Sequence, residues 1–200
     1  MLTQQTLDQL WDFEHPEISE ARFRAAMSED RFDPDERAEL GTQLGRAIGL
    51  QGRFEEADAV LDAIDGDEPT VAVRVLLERG RVLNSSGHAE MAVPLLEQAA
   101  ELADHLSEEY LAVDALQMLA AADTAHAETW TRSALEYAST VHDDRTRRWL
   151  AALHIKLGWI LHHAGRCTEA MVEFQLAEQW AVRVGTPQQQ QLAREAIGAC

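Results

Sequence analysis

Histidine and cysteine side chains are concentrated near residue 160, where they could bind a metal ion or form a reactive thiol site. His154, His162 and His163 lie close in sequence to Cys167. The eight residues from His154 to His162 correspond to about 12 Å of helical rise, so one chain cannot place both side chains on a single tetrahedral ion. His-x-x-x-His and Cys-x-x-Cys spacings are both absent. We therefore expect no metal site, and we expect Cys167 to be a buried, inert thiol.

Sequence motifs for catalysis are also missing. The chain has no Gly-x-x-x-x-Gly-Lys-Ser/Thr loop, no Gly-x-Gly-x-x-Gly turn and no Gly-x-Ser-x-Gly elbow, which are the signatures of phosphate-binding loops, dinucleotide-binding turns and hydrolases. Because 35 of the 200 residues are acidic, a close pair of carboxylates carries little information. We predict that the chain is not an enzyme and that it uses no cofactor.

The overall charge restricts the classes of partner. The 35 acids and 17 bases give a formal net charge of -18 at pH 7, which repels nucleic-acid phosphates and anionic lipid head groups. We therefore expect no nucleic-acid partner and no membrane partner. No apolar run reaches the roughly 18 residues that a membrane helix needs, and no signal peptide is visible. A cytoplasmic protein is expected, and a single lysine (Lys156) with abundant alanine indicates a GC-rich bacterial genome.

The elements that position these side chains are predicted to be helices. From Asp35 onwards, apolar residues recur at spacings of three and four, and alternating strand patterns are absent. Turn residues divide the chain into pieces of about a dozen residues, a normal helix length. The breaks are Gly52–Arg53, Gly66–Pro69, Ser85–Gly87, Gly165–Arg166 and Gly185–Pro187.

A repeated pattern runs through these helices. The series that begins at Leu44 recurs after 35 residues, after another 35 and after a further 43. Each unit has a small residue on its first helix, a small residue in its turn and an alanine early in its second helix. The first-helix residues are Gly45, Gly80, Ala115 and Gly158, the turn residues are Gly52, Gly87, Ala122 and Gly165, and the alanines are Ala57, Ala92, Ala127 and Ala170. We predict that each alanine meets the small residue of the first helix, that turn glycines adopt left-handed caps, and that longer helices span Leu135 to Trp149.

This pattern resembles the tetratricopeptide repeat (TPR), a helix–turn–helix unit of about 34 residues. The resemblance covers four repeats over residues 38–185, and it is weakest where Arg79, Asp114 and Thr131 replace the usual residue types. It implies an all-α, right-handed α-solenoid of about eleven helices in a single domain, residues 1–200. Residues 1–34 are predicted to form a degenerate helix pair, Thr3–Phe13 and Pro16–Met27. Residues 186–200 are predicted to form a C-terminal capping helix.

The resemblance also implies a concave groove lined by the first helix of each unit. Groove-facing bases outnumber acids on this acidic chain, and they lie beside apolar residues, which favours an acidic or amphipathic peptide or helix as the ligand. The predicted groove residues are Gln43, Arg46, Arg74, Leu77, Arg81, Asn84, Val113, Leu116, Leu119, Ile155, Lys156, Trp159, His162 and His163. The predicted centre of the groove is Arg46, Arg81, Leu116, Lys156 and Trp159. In the alternative interpretation, the protein's own helices or a second copy cover the apolar residues.

The predicted function is therefore a non-enzymatic protein–protein interaction module, either a scaffold or a regulatory adaptor. The alternative function is structural self-association, as a homodimer or as the TPR portion of a larger regulator. Some members of the family bind C-terminal carboxylates through a Lys/Asn/Arg clamp. We expect no such clamp, because the matching positions hold Thr42, Arg46, Glu78, Glu109 and Val113, of which only Arg46 is basic.

Overall fold

The computed structural model describes residues 2–65 and 68–199, and within these residues it contains eleven α-helices and no strand. The prediction of an all-α protein with about eleven helices is confirmed. The Gly66–Asp67 part of one predicted break lies outside the described residues, as does Cys200. The chain divides into two compact units, Met1–Leu106 and Ser107–Cys200. The prediction that these units form a single domain stays a prediction.

The first unit contains six helices that pack in consecutive pairs. They are α1 (Gln4–Leu10), α2 (Pro16–Met27), α3 (Pro34–Gly49), α4 (Phe54–Asp62), α5 (Pro69–Ser85) and α6 (Ala89–His105). Helix α3 packs on α4, α5 packs on α6, and the two first helices α3 and α5 also contact each other. Helices α1 and α2 form the predicted N-terminal pair, although α1 ends at Leu10 rather than Phe13.

The second unit repeats this arrangement with five helices and a short 3₁₀ turn (Thr124–His126). They are α7 (Glu109–Ala122), α8 (Ala127–Thr140), α9 (Asp144–His163), α10 (Cys167–Val184) and α11 (Pro187–Gly198). Helix α7 packs on α8, α9 packs on α10, and α11 covers α10 and α9. The predicted long helices across Leu135 to Trp149 are interrupted between Thr140 and Asp144, and the added residues instead make α9 20 residues long.

Local sequence signals determine where these helices begin and end. Asp33 before α3 and Thr186 before α11 each form a capping box, and a proline follows each of them at the first helical position. Turn residues Gly52, Gly87 and Gly165 have φ values of 76°, 87° and 76°. This left-handed backbone is strained for other residues, which confirms the predicted glycine caps.

Small residues on the first helices allow a large side chain of the second helix to approach. A Cβ at Gly45 would lie 2.9 Å from Leu61 Cδ2, and a Cβ at Gly80 or Gly158 would overlap Leu96 or Phe174. The predicted contact of alanine with the small residue is present at Gly45, where a Cβ would lie 3.6 Å from the Ala57 carbonyl oxygen, but the large residue one turn later lies closer at Gly45, Gly80 and Gly158. In the third repeat Ala115 and Thr131 hold the corresponding positions, and both are buried. A larger residue on one helix is thus matched by a smaller residue on the other.

The core is built mainly from leucine and alanine, and each unit has its own buried clusters. The first unit packs Leu7, Phe23, Leu40 and Ile48 together. Arg79, which replaces an apolar residue of the repeat, forms an ion pair with Asp62.

Among residues 2–65 and 68–199, no helix is both long and apolar enough to cross a lipid bilayer.

Candidate functional site

Four residues of the predicted groove are buried instead. Gln43, Leu77, Val113 and Leu119 each expose at most 4% of their surface, so the prediction that they line an open groove is wrong. The Gln43 side chain accepts a hydrogen bond from the Trp11 indole at 3.1 Å. Val113 packs in a cluster with Ala134, Ala138, Leu150 and Leu153. For these positions the alternative interpretation, cover by the protein's own helices, is correct.

The predicted bases of the first unit all contact other side chains of that unit. The Arg46 guanidinium lies 5.4 Å from the Trp11 ring and 5.5 Å from the Phe13 ring. Arg74 forms an ion pair with Glu39 at 2.8 Å, and Arg81 forms one with Glu78 at 3.1 Å. Asn84 is partly exposed on the same helix as these two arginines. The positive charges of Arg74 and Arg81 are therefore neutralised within the protein, whereas Arg46 stacks on aromatic rings.

In the second unit, the remaining predicted residues lie on α9 and the neighbouring α7. One face of α9 carries four of them, because steps of one, three and four positions along a helix keep side chains within about one face. They are Ile155, Lys156, Trp159 and His163. The Trp159 ring meets the Phe174 ring edge-on at 5.2 Å and stacks on His163 at 5.9 Å. We define the α9 face as Leu116, Ile155, Lys156, Trp159, His162 and His163; all six are partly or fully exposed.

Lys156 is a cation without a carboxylate partner among the described residues. Its Nζ donates one hydrogen bond, to the backbone carbonyl of Gln117 on α7 at 3.1 Å. Burial lowers the pKa of the Lys156 ammonium below its ordinary value. A half-buried ammonium with one neutral acceptor has unsatisfied donors, and the carboxylate of a ligand can supply the missing acceptors and charge.

The histidines and the cysteine do not form a metal site in the described part of the chain. His154 Nδ1 lies 2.7 Å from Glu173 Oε2 in a largely buried side-chain contact. His162 Nδ1 lies 4.0 Å from Cys167 Sγ, and residues 2–65 and 68–199 contain no cluster of three potential ligands. The Cys167 side chain is exposed rather than buried, because it occupies the first position of α10 next to the turn.

Sequence reasoning missed a group of arginine and aromatic side chains at the other end of α9. Arg145 lies over the Tyr110 ring, 3.6 Å from its centroid, and the Tyr110 and Trp149 rings are 5.9 Å apart. Arg148 follows one turn later and is exposed. The signal was present as the run Arg145-Thr146-Arg147-Arg148, the densest group of bases in the chain. These residues precede the part of α9 that matches the repeat.

The comparisons with known proteins bear on the fold. No protein-family model and no curated protein sequence matches the chain. Among solved structures, one similar protein is PlcR of Bacillus thuringiensis, crystallised with the peptide PapR7 and DNA. It superimposes with a TM-score of 0.76 at 13% identity, and the match covers 96% of this chain and 71% of PlcR. BtubC (BKLC) of P. vanneervenii superimposes with a TM-score of 0.64 at 16% identity, covering 90% of this chain and 77% of its own length.

A third similar structure is YrrB, described as a TPR protein with an unusual peptide-binding site. It has a TM-score of 0.50 and 16% identity, and the match covers 96% of this chain and 88% of YrrB. This chain has a TPR-like fold. Lys156 and Trp159 lie on α9, the first helix of the α9–α10 pair. At these identities the likeness concerns the fold alone.

Proposed function

We propose that this TPR-like chain is a non-enzymatic module that binds an acidic or amphipathic peptide or helix on the α9 face. The observation that carries the proposal is Lys156, the single lysine of the chain, whose described partner is one backbone carbonyl. The chain as a whole carries a net charge of -18, so a base without a carboxylate partner beside a partly exposed tryptophan is a local site of opposite charge. Tryptophan is enriched at the energetic centres of interfaces, and complementary charge steers association and fixes its register.

The similar structures support this proposal through what their descriptions say of them. PlcR was solved in complex with a peptide, and YrrB is described as having a peptide-binding site. Both are similar to this chain in fold. The proposal adds the location, which is α9 in the second unit, and the charge of the ligand.

The experiment uses two labelled 21-residue peptides that form amphipathic helices. One peptide has leucine and glutamate on one face, and the other has lysine in place of glutamate. Fluorescence anisotropy is expected to show binding of the acidic peptide and at least tenfold weaker binding of the basic peptide. K156Q is expected to weaken binding of the acidic peptide about tenfold. Equal binding of both peptides would contradict the proposal.

Matched variants separate binding from folding. W159A removes the partly exposed ring but also its contact with Phe174, so W159F serves as the second variant that keeps a packed ring. R132Q removes an exposed arginine of α8 that forms an ion pair with Glu128, and it is expected to leave peptide binding unchanged. If R132Q weakens binding as much as K156Q, the effect reports net charge and not the α9 face.

We also propose that nucleic acid is not a partner of this module. PlcR was solved with DNA, but this chain carries a net charge of -18, which opposes phosphate binding. A mobility-shift experiment at low salt is expected to show no complex. Light scattering tests the self-association alternative, which a stable dimer that protects Trp159 would favour.

A further inference from the structure

Two arginines of α9 lie in the helix half that precedes Lys156, and both have neutral partners. Arg145 stacks on the Tyr110 ring, and Arg148 Nε donates to the backbone carbonyl of Val184 at 3.2 Å. In the described part of the chain, neither forms an ion pair with a carboxylate. The nearby Asp143 carboxylate caps α9, accepting hydrogen bonds from the Thr146 backbone N and Oγ1 at 2.7 and 2.8 Å. Burial raises the pKa of Asp143, but these hydrogen bonds, the Arg145 backbone and the charge of Arg145 together hold the pKa below its ordinary value.

Three other arginines of the second unit differ from this pair, whereas Arg183 lies over the Trp180 ring, 5.3 Å from its centroid. Arg132, Arg166 and Arg194 each form an ion pair with a glutamate. A guanidinium that stacks on a ring keeps its N–H donors in its own plane, where they remain available for a planar carboxylate. Arg145 and Arg148 therefore present donors that suit an external acid.

Residues that are seven positions apart on α9 line up along one face of the helix. Arg145, Ala152 and Trp159 form one row, and Arg148, Ile155 and His162 form the second row. These two rows, which we call the α9 seam, lie side by side, and a ligand helix that packs along α9 contacts both of them. The small, partly exposed Ala152 lies between the bases and leaves space for an apolar side chain of the ligand.

We propose that the α9 seam and the adjoining Lys156 bind an amphipathic acidic helix at two points. One acidic group of the ligand binds Lys156, and a second acidic group binds Arg145 and Arg148. The eight residues from Arg148 to Lys156 correspond to about 12 Å of rise. A ligand helix therefore carries its two acids about two turns apart, with leucine or a similar side chain between them over Ala152. The inference rests on the proposed function for the Lys156 point and adds the second point, the spacing and the helical form.

The test compares two 21-residue helical peptides of leucine, alanine and glutamine. One has two glutamates seven residues apart on the leucine face, and the other has glutamine in place of the second glutamate. The two-glutamate peptide is expected to bind the wild-type protein about tenfold more tightly, because a second charge-assisted contact forms. R145Q/R148Q is expected to abolish this advantage, with the one-glutamate peptide unaffected.

The control variant is R132Q/R194Q, which removes the same number of charges from arginines that already form ion pairs, and it is expected to retain the tenfold advantage. R148Q alone leaves the Arg145–Tyr110 stack intact and serves if the double variant loses helicity. An advantage that persists in R145Q/R148Q, or equal binding of both peptides to the wild type, overturns the inference while the proposed function stands. If neither peptide binds the wild type, both fail.

Discussion

Helices α5 and α9 hold equivalent positions in their repeats, and both carry at least three bases, but their charges are compensated differently. In α5, Arg74, Arg79 and Arg81 all form ion pairs with carboxylates. In α9, the described partners of Arg145, Arg148 and Lys156 are a ring and two backbone carbonyls. The number of bases on a helix face therefore does not identify a binding surface, because the neighbouring carboxylates decide whether the charge is available.

The difference follows from the acid content of the two units. Residues 1–106 contain 23 acids and 9 bases, whereas residues 107–200 contain 12 acids and 8 bases. The first unit therefore offers its arginines more carboxylates than the second unit offers the bases of α9. What α5 and α9 share is the small residue against the second helix of the pair, so packing is common to both and charge compensation is not.

The largest effects are expected from substitutions that break the shared packing. A Cβ at Gly158 would overlap the fully buried Phe174, and a Cβ at Gly80 would overlap Leu96. G158A and G80A are each expected to lower the free energy of unfolding by about 2 kcal/mol, measured by denaturant titration. G198A is the control, since no atom lies within 4 Å of that position. Similar losses in G198A and G158A would show that the contacts are not the cause.

Substitution of one base in each helix tests the charge difference. R74M removes the guanidinium that neutralises Glu39, and it is expected to cost about 2 kcal/mol. K156M replaces a desolvated ammonium with an apolar chain of similar length, so it is expected to leave stability unchanged or to raise it by up to about 1 kcal/mol. Thermal denaturation measures both variants side by side. A loss in K156M as large as that in R74M would mean that Lys156 is compensated like the arginines of α5.

The two regions are also expected to differ in how stability depends on pH. Because the pKa of Lys156 is lowered in the folded state, the unfolded chain binds the proton more tightly, and stability rises with pH between the lowered pKa and the ordinary value of 10.5. The stability difference between wild type and K156M is therefore expected to shrink as the pH rises from about 7 towards that value. A constant difference across the alkaline range would contradict the prediction.

In the first unit stability also rises with pH, but in the acidic range and through a carboxylate that stabilises the fold. Burial raises the pKa of Glu20, but hydrogen bonds from Gln51, Arg53 and Arg24 outweigh burial and hold the pKa below 4.5. The stability that Glu20 contributes is present above pH 4.5 and is lost as the pH falls through the lowered pKa. E20Q is expected to be less stable than wild type at neutral pH and to match it in acid, as measured by denaturant titration across pH.

The smallest effect is expected at Cys167, which adjoins the α9 face. Because its side chain is exposed, C167S is expected to change the free energy of unfolding by less than about 0.5 kcal/mol. A thiol reagent is expected to label Cys167 in the native protein, with C167S as the unlabelled control at that position. Protection of the thiol until the protein unfolds would contradict the exposure.

The sequence is sufficient to predict the helices, the repeat period and the glycine caps, because each depends on local spacing. It predicts Lys156 and Trp159 on one helix face for the same reason. It does not predict the burial of Gln43, because that depends on Trp11, 32 residues away. It likewise cannot show that Arg81 is compensated and Arg148 is not, since ion pairing depends on which carboxylates the fold brings near.

The central claim, that α9 binds an acidic ligand, is tested most directly by the tryptophan indole N–H signals in a nitrogen–proton correlation spectrum. The five tryptophans are observed during titration with the two-glutamate peptide. The Trp159 signal is expected to shift, while those of Trp11 and Trp130, whose N–H groups donate to Gln43 and Asp123, stay in place. A shift of Trp11 with no change at Trp159 would contradict the claim.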